Sequence, residues 1–377
     1  MLTKQMSESD VETTYQAIRH GVTWRVLPRE AVVVEGADAT EWLQGQISQD
    51  LDRLGEIGAS AETLVLSPQG KIDSYCRVTK MADDPPRYLL DVKAGAGTNL
   101  YDRLRRFRLR VKATVVMLDP LHVLEQRGPA SKSIGSSGGS GTAAGGSGTA
   151  TVAGESGTGA GDVAGELGGL VQVAVSWPGL EGTDWLFAGD PAKVPAFATS
   201  LGIGARPGDD EAFEAARIEA GVPELGRELT ERTIPQEAGD LVARTVSFTK
   251  GCYTGQELVA RIDARGSNTP RRLRGLVLRG HASARDGEHG STRPGAAGMG
   301  GAPIMQGEQT VGEVTSAAWS PGLEALVALV YLKRGVDVPA DVTVGIVPPG
   351  GDGEREAAHA VVRELPLASL QAAGEPF

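Results

Sequence analysis

Cysteine is nearly absent from this chain, with two in 377 residues, Cys76 and Cys252, far apart and in no Cys-x-x-Cys pair. That excludes a disulfide framework and a cysteine zinc site, and an iron–sulfur cluster needs about four ligands, which one thiol cannot supply. Histidine is equally sparse. His20, His122, His281, His289 and His359 are scattered without metal-ligand spacing, so no metal site is expected. No run approaches the roughly twenty apolar residues of a membrane helix. The opening stretch Met1-Leu-Thr-Lys-Gln-Met-Ser-Glu-Ser-Asp10 lacks an apolar core, and its acidic residues are foreign to transit peptides, so a cytoplasmic protein without a membrane partner is expected. Positive charge is in deficit too. With 37 Lys and Arg against 48 Asp and Glu, the net charge of −11 opposes general affinity for phosphates, and direct nucleic-acid binding is not expected. Arg103-Leu-Arg-Arg-Phe-Arg-Leu-Arg110 and Arg271-Arg-Leu-Arg274 are local basic stretches, read as solvated charge on a helix or strand edge.

What is present is ordinary globular material, 40% hydrophobic and long enough for two or three domains with real cores. The sharpest compositional break is 131–169, almost entirely Gly, Ser, Ala and Thr. Such a stretch cannot bury enough apolar surface to offset its ordering entropy, so it is expected to be a flexible insertion outside the fold. A second loose segment, 280–301, is expected to be an enlarged loop. Elsewhere strand composition marks 31–34, 63–66, 75–79, 88–92, 114–118, 170–175 and 184–187, and helices are expected at 38–47, 99–107, 191–201 and 209–220. That mixture is α+β. After Pro270 helical signals nearly vanish, and 274–278, 310–317, 325–332, 341–347 and 357–365 read as a separate small β-barrel. Ser67-Pro-Gln-Gly-Lys71 ends in Gly-Lys but lacks the upstream Gly and following Ser or Thr of a phosphate loop, so it reads as a turn between strands.

The most informative element is Lys250-Gly-Cys-Tyr-Thr-Gly-Gln-Glu257, leading into the helical-looking 258–262. A lone cysteine is ordinarily a small buried apolar residue, and Cys76, within the alternating Ile72-Asp-Ser-Tyr-Cys-Arg-Val78, is read that way. Cys252 differs, because neighbouring glycines leave room for a ligand and Lys250 offers a positive charge that favours a thiolate.

Ile234-Pro-Gln236 followed by Val246-Ser-Phe-Thr-Lys-Gly-Cys-Tyr-Thr-Gly-Gln-Glu-Leu-Val-Ala-Arg261 resembles the signature of the YgfZ-type tetrahydrofolate-binding proteins, relatives of the glycine cleavage system T-protein. Gly36-Ala-Asp38 with Leu43-Gln-Gly-Gln46, Arg217-Ile-Glu-Ala-Gly221, and Val311-Gly-Glu-Val-Thr-Ser316 with Ser320-Pro321 add to the resemblance, which covers about 15–365 apart from the insertion. It implies an α+β folate-binding body over 15–269, made of two similar α/β subdomains, a C-terminal β-barrel over 270–366, and a central channel. It also implies that Glu219 contacts the pterin, where a carboxylate can accept two parallel hydrogen bonds from the amino group and ring N–H. Phe213 stands where relatives carry an aromatic residue against the folate. A second aromatic is missing, since its best-matching position holds Arg29, and Trp24 is the expected substitute. T-proteins carry an acidic pair after Gly-x-x; Gly70-Lys-Ile-Asp-Ser74 keeps Asp73 and has Ser74 in the second place. T-proteins also lack the Cys252 element, so both differences favour the YgfZ branch.

The resemblance therefore implies a protein that binds tetrahydrofolate and supports assembly or repair of iron–sulfur client proteins, including tRNA-modifying enzymes. Cys252, assisted by Lys250, would be a transient nucleophile or a sulfur or iron contact. Gly251, Tyr253, Gly255, Gln256, Glu257 and Arg261 would orient the thiol or line the channel, and Asp73 would join Glu219 and Phe213 at the folate. The alternatives are a folate-dependent one-carbon transferase that depends on Asp73, and a scaffold whose Cys252 loop meets a partner.

Overall fold

The computed structural model describes residues 8–129, 147–148, 169, 171–278, 296, 299–346 and 356–369. The body is built on one antiparallel sheet of β1 (Thr23–Glu35), β2 (Ser60–Leu66), β3 (Ile72–Asp83), β4 (Pro86–Lys93), β5 (Thr114–Arg127), β6 (Ser147–Gly148), β7 (Val171–Trp177) and β8 (Leu180–Phe187), in the order β6-β2-β3-β4-β1-β5-β8-β7. The long β1 joins the two halves. Arg29–Glu35 pair with β4, whereas β5 pairs along Thr23–Glu35 with a register shift between Arg29 and Ala31. Side chains alternate across the strand, so Trp24 and Val26 face one helical layer while Arg25, Leu27, Arg29 and Ala31 face the other side.

Each half buries its own helices. In the first, α2 (Ala39–Gln44) and α3 (Gly97–Arg106) bring Leu43, Leu100 and Leu104 onto Val32, Val34, Val78 and Leu90. In the second, α4 (Val194–Ser200) brings Val194 and Phe197 onto Trp24, Leu124 and Trp185. The helix α5 (Asp210–Glu219) starts where its acidic opening predicts, with Asp209 accepting a hydrogen bond from the Glu211 N–H at 2.8 Å as its N-cap. Its Ala212, Ala215 and Ala216 let it nest between α1 (Glu8–His20) and the barrel.

The barrel closes β9 (Arg271–Leu278), β10 (Pro303–Gln306), β11 (Gln309–Ser320), β12 (Ala325–Lys333), β13 (Ala340–Ile346) and β14 (Glu356–Arg363) in the order β10-β11-β12-β9-β14-β13. Strand β12 is buried on both faces, with Leu326, Ala328 and Val330 filling the barrel and Val327, Leu329 and Tyr331 packing outward under α5. Its near-continuous apolar run follows from that double burial.

Sequence reading placed most of these elements but left out β6, β10 and the Thr23–Glu30 part of β1, and it fell short elsewhere too. The helix α1 carries no apolar run of its own, β5 continues well past 118 to Arg127, and the short α6 (Leu241–Thr245) was not anticipated. The Gly/Ser-rich insertion lies outside the described residues, apart from Ser147 and Gly148, which pair with Ala61 and Ser60, and Gly169. Most of 280–301 also lies outside them.

Candidate functional site

The Cys252 element is a short loop leading into α7 (Gln256–Asp263). Gly255, at φ +82°, caps that helix in the left-handed region, and a Cβ there would sit 2.5 Å from the Ser67 carbonyl oxygen. The turn between β2 and β3 is thereby pressed against the start of α7, which only glycine permits. Thr254 donates its N–H to Gly45 O at 3.1 Å, tying the loop to the end of α2. Cys252 and Gly251 are exposed, while Tyr253 is buried among Leu64, Leu66, Ile72 and Val259. Burial pushes the Tyr253 phenol up to about 12, and its hydroxyl has no partner among the described residues.

Lys250 is a staple. Its Nζ donates to Gln44 O at 2.8 Å, Ile47 O at 2.9 Å and Gln49 O at 2.7 Å, with Gln44 Oε1 at 3.3 Å. Burial pushes the ammonium down to about 8, against the pull of Asp50 and Asp52. Its charge is committed to these carbonyl oxygens, so the expectation that Lys250 serves the Cys252 thiolate finds no contact here. Glu257 and Arg261 form an exposed ion pair with each other one turn apart on α7, and Gln256 accepts from the Tyr253 N–H at 3.4 Å. None of the three is among the residues that line the cavity described next.

On the opposite face of the sheet from α2 and α3, a cavity of about 170 Å³ is enclosed by β1, β3, β5, β7, β8, α5 and the segment 222–225. Its floor is an alternating ladder of charge. Arg29 donates to Asp91 (Nε, 3.0 Å), Arg77 joins Asp91 (2.9 Å) to Asp184 (2.8 Å), and Arg127 joins Asp184 (2.8 Å) to Glu125 (2.6 Å). Arg25 closes the row on Glu125 at 2.5 Å. Burial alone would raise the Asp184 carboxyl, but Arg127 and Arg77 overcome it and hold it down to about 2. Two arginines of the row also cover aromatic walls: Arg25 lies 4.5 Å from the Phe213 ring centroid and Arg127 lies 4.6 Å from that of Trp177. Burial leaves Arg127 Nε without a partner among the described residues.

The expected folate residues separate. Phe213 and Arg29 line the cavity. Trp24 does not: alternation turns it to the other face, where it is buried with its Nε1 donating to Gly204 O at 3.0 Å. Glu219 is 0% exposed and is not among the lining residues; its Oε2 accepts from Tyr15 at 2.8 Å and from Arg19, both on α1, while Oε1 has no partner among the described residues. Asp73 falls within a β-bulge between the pairs Leu66↔Ile72 and Val65↔Ser74, and the bulge turns its carboxylate to Arg103 of α3 at 3.2 Å, away from the cavity.

Sequence reading missed Trp177, which supplies the second ring in place of Trp24, and the whole charged ladder. The signal was present as charge at alternate positions: Arg25 and Arg29 on β1, and Glu125 and Arg127 on β5. Ending β5 at 118 hid it. Cys76 is buried within its strand, and burial pushes its thiol up to about 12.

Comparison with known proteins agrees with this architecture. Residues 271–360 match the glycine cleavage T-protein C-terminal barrel domain. An uncharacterized protein of Haemophilus influenzae is 27% identical over 240 residues, 63% of this chain and 68% of that protein. The tRNA-modifying protein YgfZ of Yersinia pestis is 29% identical over 245 residues, 63% of this chain and 65% of its own length. The chain therefore spans about two thirds of these relatives. The glycine cleavage system aminomethyltransferase T from Bartonella henselae superposes with a TM-score of 0.68 over 95% of this chain and 89% of its own, at 19% identity, which is a likeness of fold. The closed barrel, the mixed body and these relatives together give the chain a YgfZ-type, T-protein-like fold.

Proposed function

We propose that this protein binds a reduced folate in the cavity and, through exposed Cys252, supports assembly or repair of iron–sulfur proteins, among them tRNA-modifying enzymes. The observation that carries the folate reading is the pair of arginine-backed rings, Phe213 and Trp177, on one cavity. Flat rings suit stacking on a flat heterocycle. The free Arg127 Nε and the guanidinium row suit its oxo group or a carboxylate. Glu62 and Glu224, also on the lining, can accept ring N–H groups, and Lys93 can meet an acidic tail. At about 170 Å³ the cavity is smaller than the roughly 300–1,000 Å³ of sites that enclose a whole drug-sized ligand, so the heterocycle would enter and the tail would extend outward. A bound reduced folate would supply a one-carbon acceptor. Phe213 and Trp177 hold and orient it, and the ladder keeps their arginines in place.

Cys252 is suited to contact a partner because it is exposed on a loop whose two ends are fixed by Lys250 and Gly255. The name of the Yersinia relative supports the link to tRNA modification. Titration with tetrahydrofolate tests the first half: Phe213→Ala and Trp177→Ala should each weaken binding by about tenfold, and unchanged affinity in both would refute the site. Rescue of a strain lacking the gene tests the second. Wild type should restore an iron–sulfur enzyme under oxidative stress and Cys252→Ser should not; equal rescue would remove the thiol and leave a folate-binding scaffold.

A one-carbon transferase is the second reading. Asp73 weighs against it, because proton transfer needs a carboxyl within hydrogen-bond reach and this one is ion-paired to Arg103 off the cavity. Methylene-tetrahydrofolate formed with release of ammonia from an aminomethyl donor, or methyl-tetrahydrofolate formed from a methyl donor, by purified protein, and lost in Asp73→Asn, would favour it instead.

A further inference from the structure

We infer that the segment 105–110, with Lys112, is a binding surface for a single-stranded nucleic acid, a use of the basic stretch that the sequence alone assigned to solvated charge. All six residues of Arg105-Arg-Phe-Arg-Leu-Arg110 are exposed, as is Lys112. Elsewhere the exposed arginines are spread out along the chain: Arg232, Arg265, Arg272 and Arg334 have no carboxylate partner among the described residues, whereas Arg53, Arg87, Arg206, Arg227 and Arg261 each lie against a carboxylate. Arg105, Arg106, Arg108, Arg110 and Lys112 have no such partner among the described residues. Helix-terminal placement accounts for Arg105 and Arg106, which complement the negative end of α3, but Arg108, Arg110 and Lys112 lie beyond it.

The second observation is a prepared aromatic platform. Of the five large hydrophobic side chains exposed among the described residues, two lie in this segment: Phe107 at 42% and Leu109 at 80%. The Arg103 guanidinium lies 3.9 Å from the Phe107 ring centroid and is itself fixed by Asp73, by Gln46 at 3.3 Å and by Leu66 O at 3.3 Å. The ring is thus backed from beneath by an anchored cation while remaining exposed. Arg105 donates to the Tyr101 hydroxyl and Arg108 to the Ala113 carbonyl oxygen, so both keep their full positive charge, and a fixed ring flanked by guanidiniums without a carboxylate matches a chain of alternating phosphates and flat bases. An anionic membrane would use the same charge and the projecting Leu109, but it gives no role to the Phe107 ring that Arg103 holds flat against the protein, which favours stacking on a base.

The test is fluorescence anisotropy of full-length protein with a short labelled single-stranded RNA of mixed sequence, across a salt series. Wild type should bind at low salt and release as salt rises. Phe107→Ala should weaken binding about tenfold, since base stacking on an aromatic contributes that order. Arg105→Glu/Arg106→Glu/Arg108→Glu should abolish it, and single Arg→Gln changes should flatten the plot of log K against log salt by about 0.7 for each phosphate that is no longer neutralised. All these side chains are exposed, so unchanged circular dichroism melts are expected to accompany the weaker binding. No binding by wild type, equal binding by the triple variant, or binding of phosphatidylserine vesicles in place of RNA would overturn the proposal.

Discussion

Glu125 and Arg127 stand two residues apart on one face of β5, and the Arg127 guanidinium donates to Glu125 Oε1 at 2.6 Å. The other oxygen of the same carboxylate takes Arg25. One carboxylate therefore holds both arginines that back the aromatic walls of the cavity, so the separation of Phe213 from Trp177 depends on a residue that touches neither ring. Glu125→Gln keeps the shape and removes the shared charge. Hydrogen bonds to charged groups contribute about 1.5–3 kcal/mol, so a loss of roughly 2 kcal/mol is expected in urea unfolding, together with weaker tetrahydrofolate binding. Unchanged affinity would detach the ladder from the ligand.

Asp184 links the cavity to acid stability. Its carboxyl stands at about 2 in the fold against 3.8 as a free group, so the unfolded chain binds more protons between those values. Stability from this group is complete above 3.8 and is lost as pH falls toward about 2, roughly 2 kcal/mol in all. In Asp184→Asn, stability at neutral pH should drop by about 3–5 kcal/mol, because Arg77 and Arg127 lose a buried partner, and the acid-side slope should become shallower. Urea midpoints measured from neutral pH to about pH 2 check both.

Lys250→Met would leave the carbonyl oxygens of Gln44, Ile47 and Gln49 without their donor. Unsatisfied buried acceptors cost about 1–3 kcal/mol, and a thermal melt should register a loss of that order. A variant that melts like wild type but fails to rescue cells would return Lys250 to the chemistry of Cys252.

Gly255→Ala combines a left-handed backbone with overlap of backbone on the β2–β3 turn. A destabilisation of about 2 kcal/mol or more is expected, with faster proteolysis of the loop at 251–254. If the variant is as stable as wild type, the turn and α7 are not rigidly joined.

Much of the architecture was legible in the chain itself. The valine run in β1, the acidic start of α5 and the loss of helical signal after Pro270 are local patterns, and local patterns survive without tertiary context. The Lys250–Glu257 element was legible as well, because glycines at fixed offsets mark a special backbone. The site was not. Trp24 and Trp177 are both tryptophans near strand ends, and only the pleat of β1 and the pairing of β7 with β8 turn the first away from the cavity and the second into it. Asp73 lies in a strand by composition, yet a one-residue bulge changes which face its carboxylate meets.

From the sequence alone came most of the elements, the run of strands after Pro270 and the singularity of Cys252, since propensity, turn chemistry and motif spacing are properties of neighbours along the chain. The tertiary structure alone decided that Lys250 is a staple, that four arginines from three strands share three carboxylates, and that Phe107 is backed by Arg103. The reason is physical: the reach of a charge or a ring is a few ångströms through space, and residues such as Arg77 and Asp184, 107 positions apart, become neighbours only when sheet register sets them side by side.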